Sequence, residues 1–65
     1  MQDLIQQYQS HMTALFNVRV TLTLNPDGTV TRAKAKGVKE MTLTQSELQA
    51  HVEKMTAQLR KLLAL

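Results

Sequence analysis

Residues 18–36, VRVTLTL-NPDG-TVTRAKAK, constrain this chain more than any other stretch. Val18, Val20, Leu22 and Leu24 alternate with Arg19, Thr21 and Thr23, so a strand over 18–24 turns its four aliphatic side chains to one face. Asn25-Pro26-Asp27-Gly28 follows: Pro is held at φ of about −65°, and Gly is free to take positive φ. Turns of this composition join antiparallel strands. Residues 29–36 alternate again and form the return strand, which Gly37 ends. A hairpin alone is marginally stable in water, so other elements must cover its apolar face.

Two helices are available for that. Leu4, Tyr8, His11, Met12 and Leu15 recur at steps of three and four, with Ile5 and Phe16 widening the stripe, which predicts a helix over about 2–15. Asp3 suits its first turn, and Asn17 tolerates the left-handed conformation that ends a helix. Near the other end, Thr44-Gln45-Ser46-Glu47 is a capping box, and Leu43 and Leu48 flank it as a hydrophobic staple. Leu48, Val52, Met55, Leu59 and Leu62 continue as one stripe, predicting a helix over about 45–64 with Arg60 and Lys61 at its carboxyl end. The expected fold is α+β, a single domain over 1–65 in the order α1-β1-β2-α2. Two antiparallel helices pack on one face of a two-stranded antiparallel hairpin.

The register of that hairpin decides where its cations point. A four-residue loop pairs Leu24 with Thr29 and puts Arg32, Lys34 and Lys36 on the outer face with Arg19. A turn with a glycine bulge shifts the pairing by one and sets Arg32 and Lys34 beside Leu22 and Val20, facing the core. Burying two unpaired cations costs several kcal/mol, so the first register, or a bulge that restores it, is expected.

Composition removes most function classes. With no cysteine there are no disulfides and no thiolate metal sites, and His11 and His51 stand too far apart to be a helical ligand pair, so no metal or cofactor is expected. The acids Asp3, Asp27, Glu40, Glu47 and Glu53 are scattered, each with a structural use, and no P-loop, G-x-G-x-x-G or H-E-x-x-H occurs. The chain is therefore not expected to be an enzyme or to take a small-molecule substrate. His11 and His51 flank their stripes as boundary residues or as a pH-sensitive contact, and Met12, Met41 and Met55 fill the core. No run approaches the ~18 apolar residues of a membrane span, and MQDLIQQYQS lacks signal-peptide character; a cytoplasmic protein is expected. A domain of this size buries only about 60% of its unfolded surface, which favours a partner subunit, hence a homodimer.

Two surfaces remain. Five of the eight basic residues (Arg19, Arg32, Lys34, Lys36 and Lys39) fall within 17–39 against the single acid Asp27. Such a face can track a phosphate backbone, or it is the charged edge that keeps a small sheet from pairing with other chains. It has no interleaved aromatic for stacking on bases. The leading expectation is a small binding module, an accessory protein of the phage or plasmid type that contacts nucleic acid through these residues. The alternative is an assembly or adaptor protein that meets a protein partner through Leu59, Leu62, Leu63 and Leu65, whose spacing also suits a helix–helix dimer seam. The layout of two helices around a hairpin looks like that of the small head–tail joining proteins of tailed phages, a likeness of element order alone. VRVTLTLNPDGTV is similar to the hairpin of TonB-type C-terminal domains, in which a further strand follows the helix; this chain has none there.

Overall fold

Two glycines in left-handed backbone set the topology, Gly28 at φ 89° and Gly37 at φ 78°, and each closes a hairpin. The computed structural model describes residues 2–64. Its elements are α1 (Gln2–Phe16), β1 (Leu22–Leu24), β2 (Val30–Arg32), β3 (Met41–Leu43) and α2 (Gln45–Leu63). The fold is α+β, but its sheet has three antiparallel strands in the order β1-β2-β3, not the two expected. What reads in the sequence as a strand end at Gly37 and a linker to 43 is a second tight turn and a third strand. Ala35 and Val38 exchange both backbone hydrogen bonds across Lys36-Gly37, at 3.1 and 2.9 Å. Beyond a gap without regular pairing at 33–34 and 39–40, Met41–Leu43 pairs with Val30–Arg32.

The first hairpin takes the register that the sequence argument rejects. Leu24 pairs with Val30 and Leu22 with Arg32. The loop supplies the reason. Gly28 N–H donates to the Asn25 carbonyl (3.0 Å) and Asn25 N–H to the Thr29 carbonyl (2.8 Å), so the left-handed glycine forms a bulge. Asp27 Oδ1 accepts from both the N–H and the hydroxyl of Thr29, at 3.0 and 2.6 Å, and the Asn25 amide donates to the hydroxyls of Thr29 and Thr31. These side-chain bonds stabilise the bulged loop locally.

Nor does the shift strand a cation. Arg32 does face the helices, but it is half-buried and its fork is bonded: Nη1 donates to the Tyr8 hydroxyl (2.8 Å), while Nε and Nη2 donate to the Lys39 carbonyl (3.2 and 2.9 Å). The Lys39 carbonyl lies where the β2–β3 ladder is open, and the guanidinium provides its donors. The penalty that seemed to exclude this register belongs to unpaired charges. Lys34 lies beyond the paired residues and is exposed.

The register puts Leu22, Leu24, Val30, Arg32, Met41 and Leu43 on the inner face and Thr23, Thr31 and Thr42 in a row on the outer one. The core is built from Ile5, Tyr8 and Met12 of α1, Val20, Leu22, Val30 and Leu43 of the sheet side, and Leu48, Val52 and Met55 of α2. Tyr8, Val30 and Leu48 are its most enclosed members.

The third strand also reverses α2. Two strands between the helices would return the chain antiparallel to α1; three return it in the same direction. Tyr8 packs its ring against His51 (centroids 6.4 Å apart), His11 bonds Thr56, and Leu15 and Phe16 share a cleft with Gln58, Lys61 and Leu62. Partners thus advance together along both helices, which corrects the antiparallel expectation. The Thr56 hydroxyl gives its one proton to the Val52 carbonyl (2.8 Å), so His11 Nε2–H is the donor in the 2.9 Å His11–Thr56 bond. At the start of α2 both halves of the capping box are formed, Glu47 N–H to Thr44 Oγ1 (3.2 Å) and Thr44 N–H to Glu47 Oε1 (3.0 Å).

This register separates two neighbouring cations energetically. Arg32→Ala is expected to lower stability by about 1.5–3 kcal/mol, the range for a hydrogen bond to a charged group, whereas Lys34→Ala stays within about 0.5 kcal/mol. Urea unfolding followed by circular dichroism measures both; equal effects would contradict the bulged register.

Candidate interaction surfaces

Chain direction sorts the surface into two ends. α1 ends at Phe16, and the chain doubles back through Asn17 (φ 54°), whose N–H donates to the Thr13 carbonyl at 3.0 Å. The start of the β1 segment, the β2–β3 turn and the carboxyl end of α2 follow at the same end of the molecule, because β1 and β3 run opposite to both helices and β2 runs with them. At the other end, Gln45 Nε2 donates to the Gly28 carbonyl (3.4 Å), joining the 25–28 turn to the start of α2.

The first end is basic and apolar together. Lys34, Lys36 and Lys39 are exposed around the second hairpin turn. Ala33 N–H donates to the Thr21 carbonyl (2.9 Å), which keeps the preceding, exposed Arg19 at the same end of the sheet. Arg60 and Lys61 are exposed in the last turn of α2. Arg32 leaves this group: its guanidinium is bonded inward. The five residues expected on one outer face are therefore divided between four free cations at the end of the sheet and one that ties α1 to β2 and β3.

The apolar part arises because one stripe runs off the core. Along α2, Leu48 is 0% exposed, Val52 4% and Met55 7%; Leu59 is half-buried and Leu62 is 58% exposed. Leu63, beside the stripe, is 84% exposed. The body is 41 Å long but only 15 Å in its thinnest dimension, and the described residues hold no element that covers the last turns of α2. Of the residues expected to meet a partner, Leu59, Leu62 and Leu63 lie here; Leu65 lies outside the described residues. Sequence reasoning missed Leu15 and Phe16. Phe16 is 55% exposed and lines an open cleft with Leu15, Gln58, Lys61 and Leu62. Periodicity assigned it to the stripe of α1; with antiparallel helices it would lie far from Leu62.

The opposite end carries Asp27 and Glu47, and both carboxyls are held below their ordinary values. For Asp27 the cause is the Thr29 hydroxyl, then the Thr29 backbone N–H; for Glu47 it is the Thr44 N–H, then the Thr44 hydroxyl. The molecule is thus polarised, with cations and exposed leucines at one end and bonded carboxylates at the other.

Among the described residues no group of three or more His, Cys, Asp or Glu could hold a metal ion. No described helix is long and apolar enough to cross a membrane. No family model matches the chain, and neither curated proteins nor solved structures contain a match to it.

The two lowered carboxyls give a sign to the acid response. A depressed folded value means that the stabilisation is present above the unfolded carboxylate range and is lost as pH falls through the folded value. Melting temperature is expected to decline from about pH 5 downward, and Asp27→Asn with Glu47→Gln to flatten that decline. Thermal melts across this range, read by circular dichroism, measure it.

Proposed function

We propose that this chain is a non-enzymatic adaptor that docks a protein partner through the apolar end of its helix pair. The observation that carries this reading is the continuous stripe of α2 emerging from the core into Leu62 at 58% and Leu63 at 84% exposure, with Phe16 of α1 beside it. Exposed apolar patches with polar rims mark interaction sites on folded proteins. The rim is cationic, with Arg60 and Lys61 on α2 and Arg19, Lys34, Lys36 and Lys39 on the sheet. Like charges oppose a face-to-face meeting of two copies here, and the same charges attract a partner whose apolar stripe is flanked by acids. An amphipathic helix with a leucine stripe between glutamates fits that chemistry.

Contact with nucleic acid is the second reading, favoured by the exposure of Lys34, Lys36, Lys39 and Arg19 at one end of the sheet. It lacks the fork of Arg32, which is bonded within the fold.

A synthetic acidic amphipathic helix and labelled single- and double-stranded DNA and RNA, each titrated by fluorescence anisotropy, separate the two. On the adaptor reading the helix binds, a scrambled peptide does not, and Leu63→Asp weakens binding at least about tenfold with an unchanged melt. On the second reading the nucleic acids bind, affinity falls steeply between about 50 and 200 mM salt, and Lys34→Glu with Lys36→Glu abolishes it. Failure of the helix to bind, or its binding unaltered by Leu63→Asp, would overturn the adaptor reading.

A further inference from the structure

β1 is an edge strand, and its free side is unusually open. Thr21, Thr23 and Asn25 point their backbone groups towards β2: Thr21 accepts from Ala33 N–H, Asn25 N–H donates to Thr29, and Thr23 pairs with Thr31 between them. Backbone groups alternate in an antiparallel ladder, so the N–H and C=O of Leu22 and Leu24 point the other way, and no described residue pairs with them. Helix α1 occupies only the beginning of this edge, where Gln9 Nε2 donates to the Val20 carbonyl (3.2 Å) and Thr13 Oγ1 to the Val18 carbonyl (3.4 Å).

Natural edge strands are guarded by shortness, charge, proline or a bulge. β1 is short, three residues, but from Val20 to Leu24 it carries none of the other three, reading V-T-L-T-L. The other edge is different, since Lys39 and Glu40 lead into β3. Leu24 adds a second sign. It lies on the inner face beside the buried Val30, yet it is 50% exposed.

We infer that this edge is a homodimer interface in which two β1 strands pair antiparallel about Thr23, joining the two sheets into one of six strands. The pairing is self-complementary over the three residues of β1. Leu22 of one copy stands opposite Leu24 of the other, and each such pair exchanges both backbone hydrogen bonds from groups that are now free. Thr23 faces its own copy as the non-bonded pair. Leu24 is covered by the second copy's Leu22 face. The pairing ends on either side of β1, where α1 holds the Val20 carbonyl through Gln9 and the chain enters the 25–28 turn. The pairing leaves both Phe16–Leu63 ends free and sends them to opposite extremities. If the adaptor reading holds, the dimer is a two-headed linker; the interface itself does not depend on that reading.

Sedimentation equilibrium over micromolar to millimolar protein, with amide hydrogen exchange at both extremes, tests this. A monomer–dimer equilibrium is expected, with the Leu22 and Leu24 amides protected only at high concentration and Thr23 protected throughout. Leu24→Pro removes an outward N–H that no intramolecular bond uses, an edge position where proline is tolerated. It should raise the dissociation constant at least thirtyfold. Leu24→Lys should do the same through an exposed side chain, so the result does not rest on one variant's folding. Leu63→Asp should leave it unchanged. A monomer throughout, or a dimer that Leu63→Asp breaks and Leu24→Lys spares, overturns the inference. The second of these outcomes would still leave the helix end as an association surface.

Discussion

Everything in this fold hangs on how the guanidinium of Arg32 is held. The bulged loop at Asn25–Thr29 forces the central strand to turn that residue towards the helices. Left alone there, the cation would favour another register. Tyr8 and the Lys39 carbonyl together accept its donors, and each of those acceptors belongs to a different neighbour, α1 on one side and the approach to β3 on the other. One side chain thereby links α1, β2 and the approach to β3. It also leaves Val30, two residues earlier on the same face, free to be the enclosed centre of the core.

From that register the polarity of the molecule follows. Three strands instead of two make α2 run with α1, so both helices end where the β2–β3 turn lies. A short sheet cannot cover a helix of 19 residues. The stripe of α2 is buried as far as Met55, alongside α1 and the sheet, half-buried at Leu59 and exposed at Leu62. The exposed leucines are therefore a geometric consequence of helix length against sheet length, and Phe16 joins them because α1 ends at the same level. The cations of the second turn and of the last turn of α2 collect there for the same topological reason.

The opposite end is organised by short-range bonding. Asp27 and Glu47 each satisfy backbone N–H groups within three residues, one in a turn and one at a helix start. Such local carboxylates are anchors for chain reversal, which is why they are titration-sensitive without being placed for chemistry. The edge of β1 runs between the two ends and carries no charge from Val20 to Leu24.

Local signals in the sequence were enough for several features decided within a few residues. The capping box at Thr44–Glu47, the periodic stripes of both helices and the chemistry of the Asn25–Gly28 turn act over one or two turns of chain, and each is found where its residues imply. The exposed leucines after Met55 were legible too, since they exceed what a small core can hold. Register, strand number and helix direction were not. β3 is three residues long and follows a gap in pairing, so Met41-Thr42-Leu43 carries too little alternation to be recognised alone. The bulge could be named but not chosen, because the choice turned on whether a cation at position 32 would find acceptors. Those acceptors, Tyr8 and Lys39, are 24 and 7 residues away and become its neighbours only when the helix and the third strand are packed. Local propensity is written residue by residue; the cost of a charge depends on what surrounds it, and only the tertiary structure supplies that.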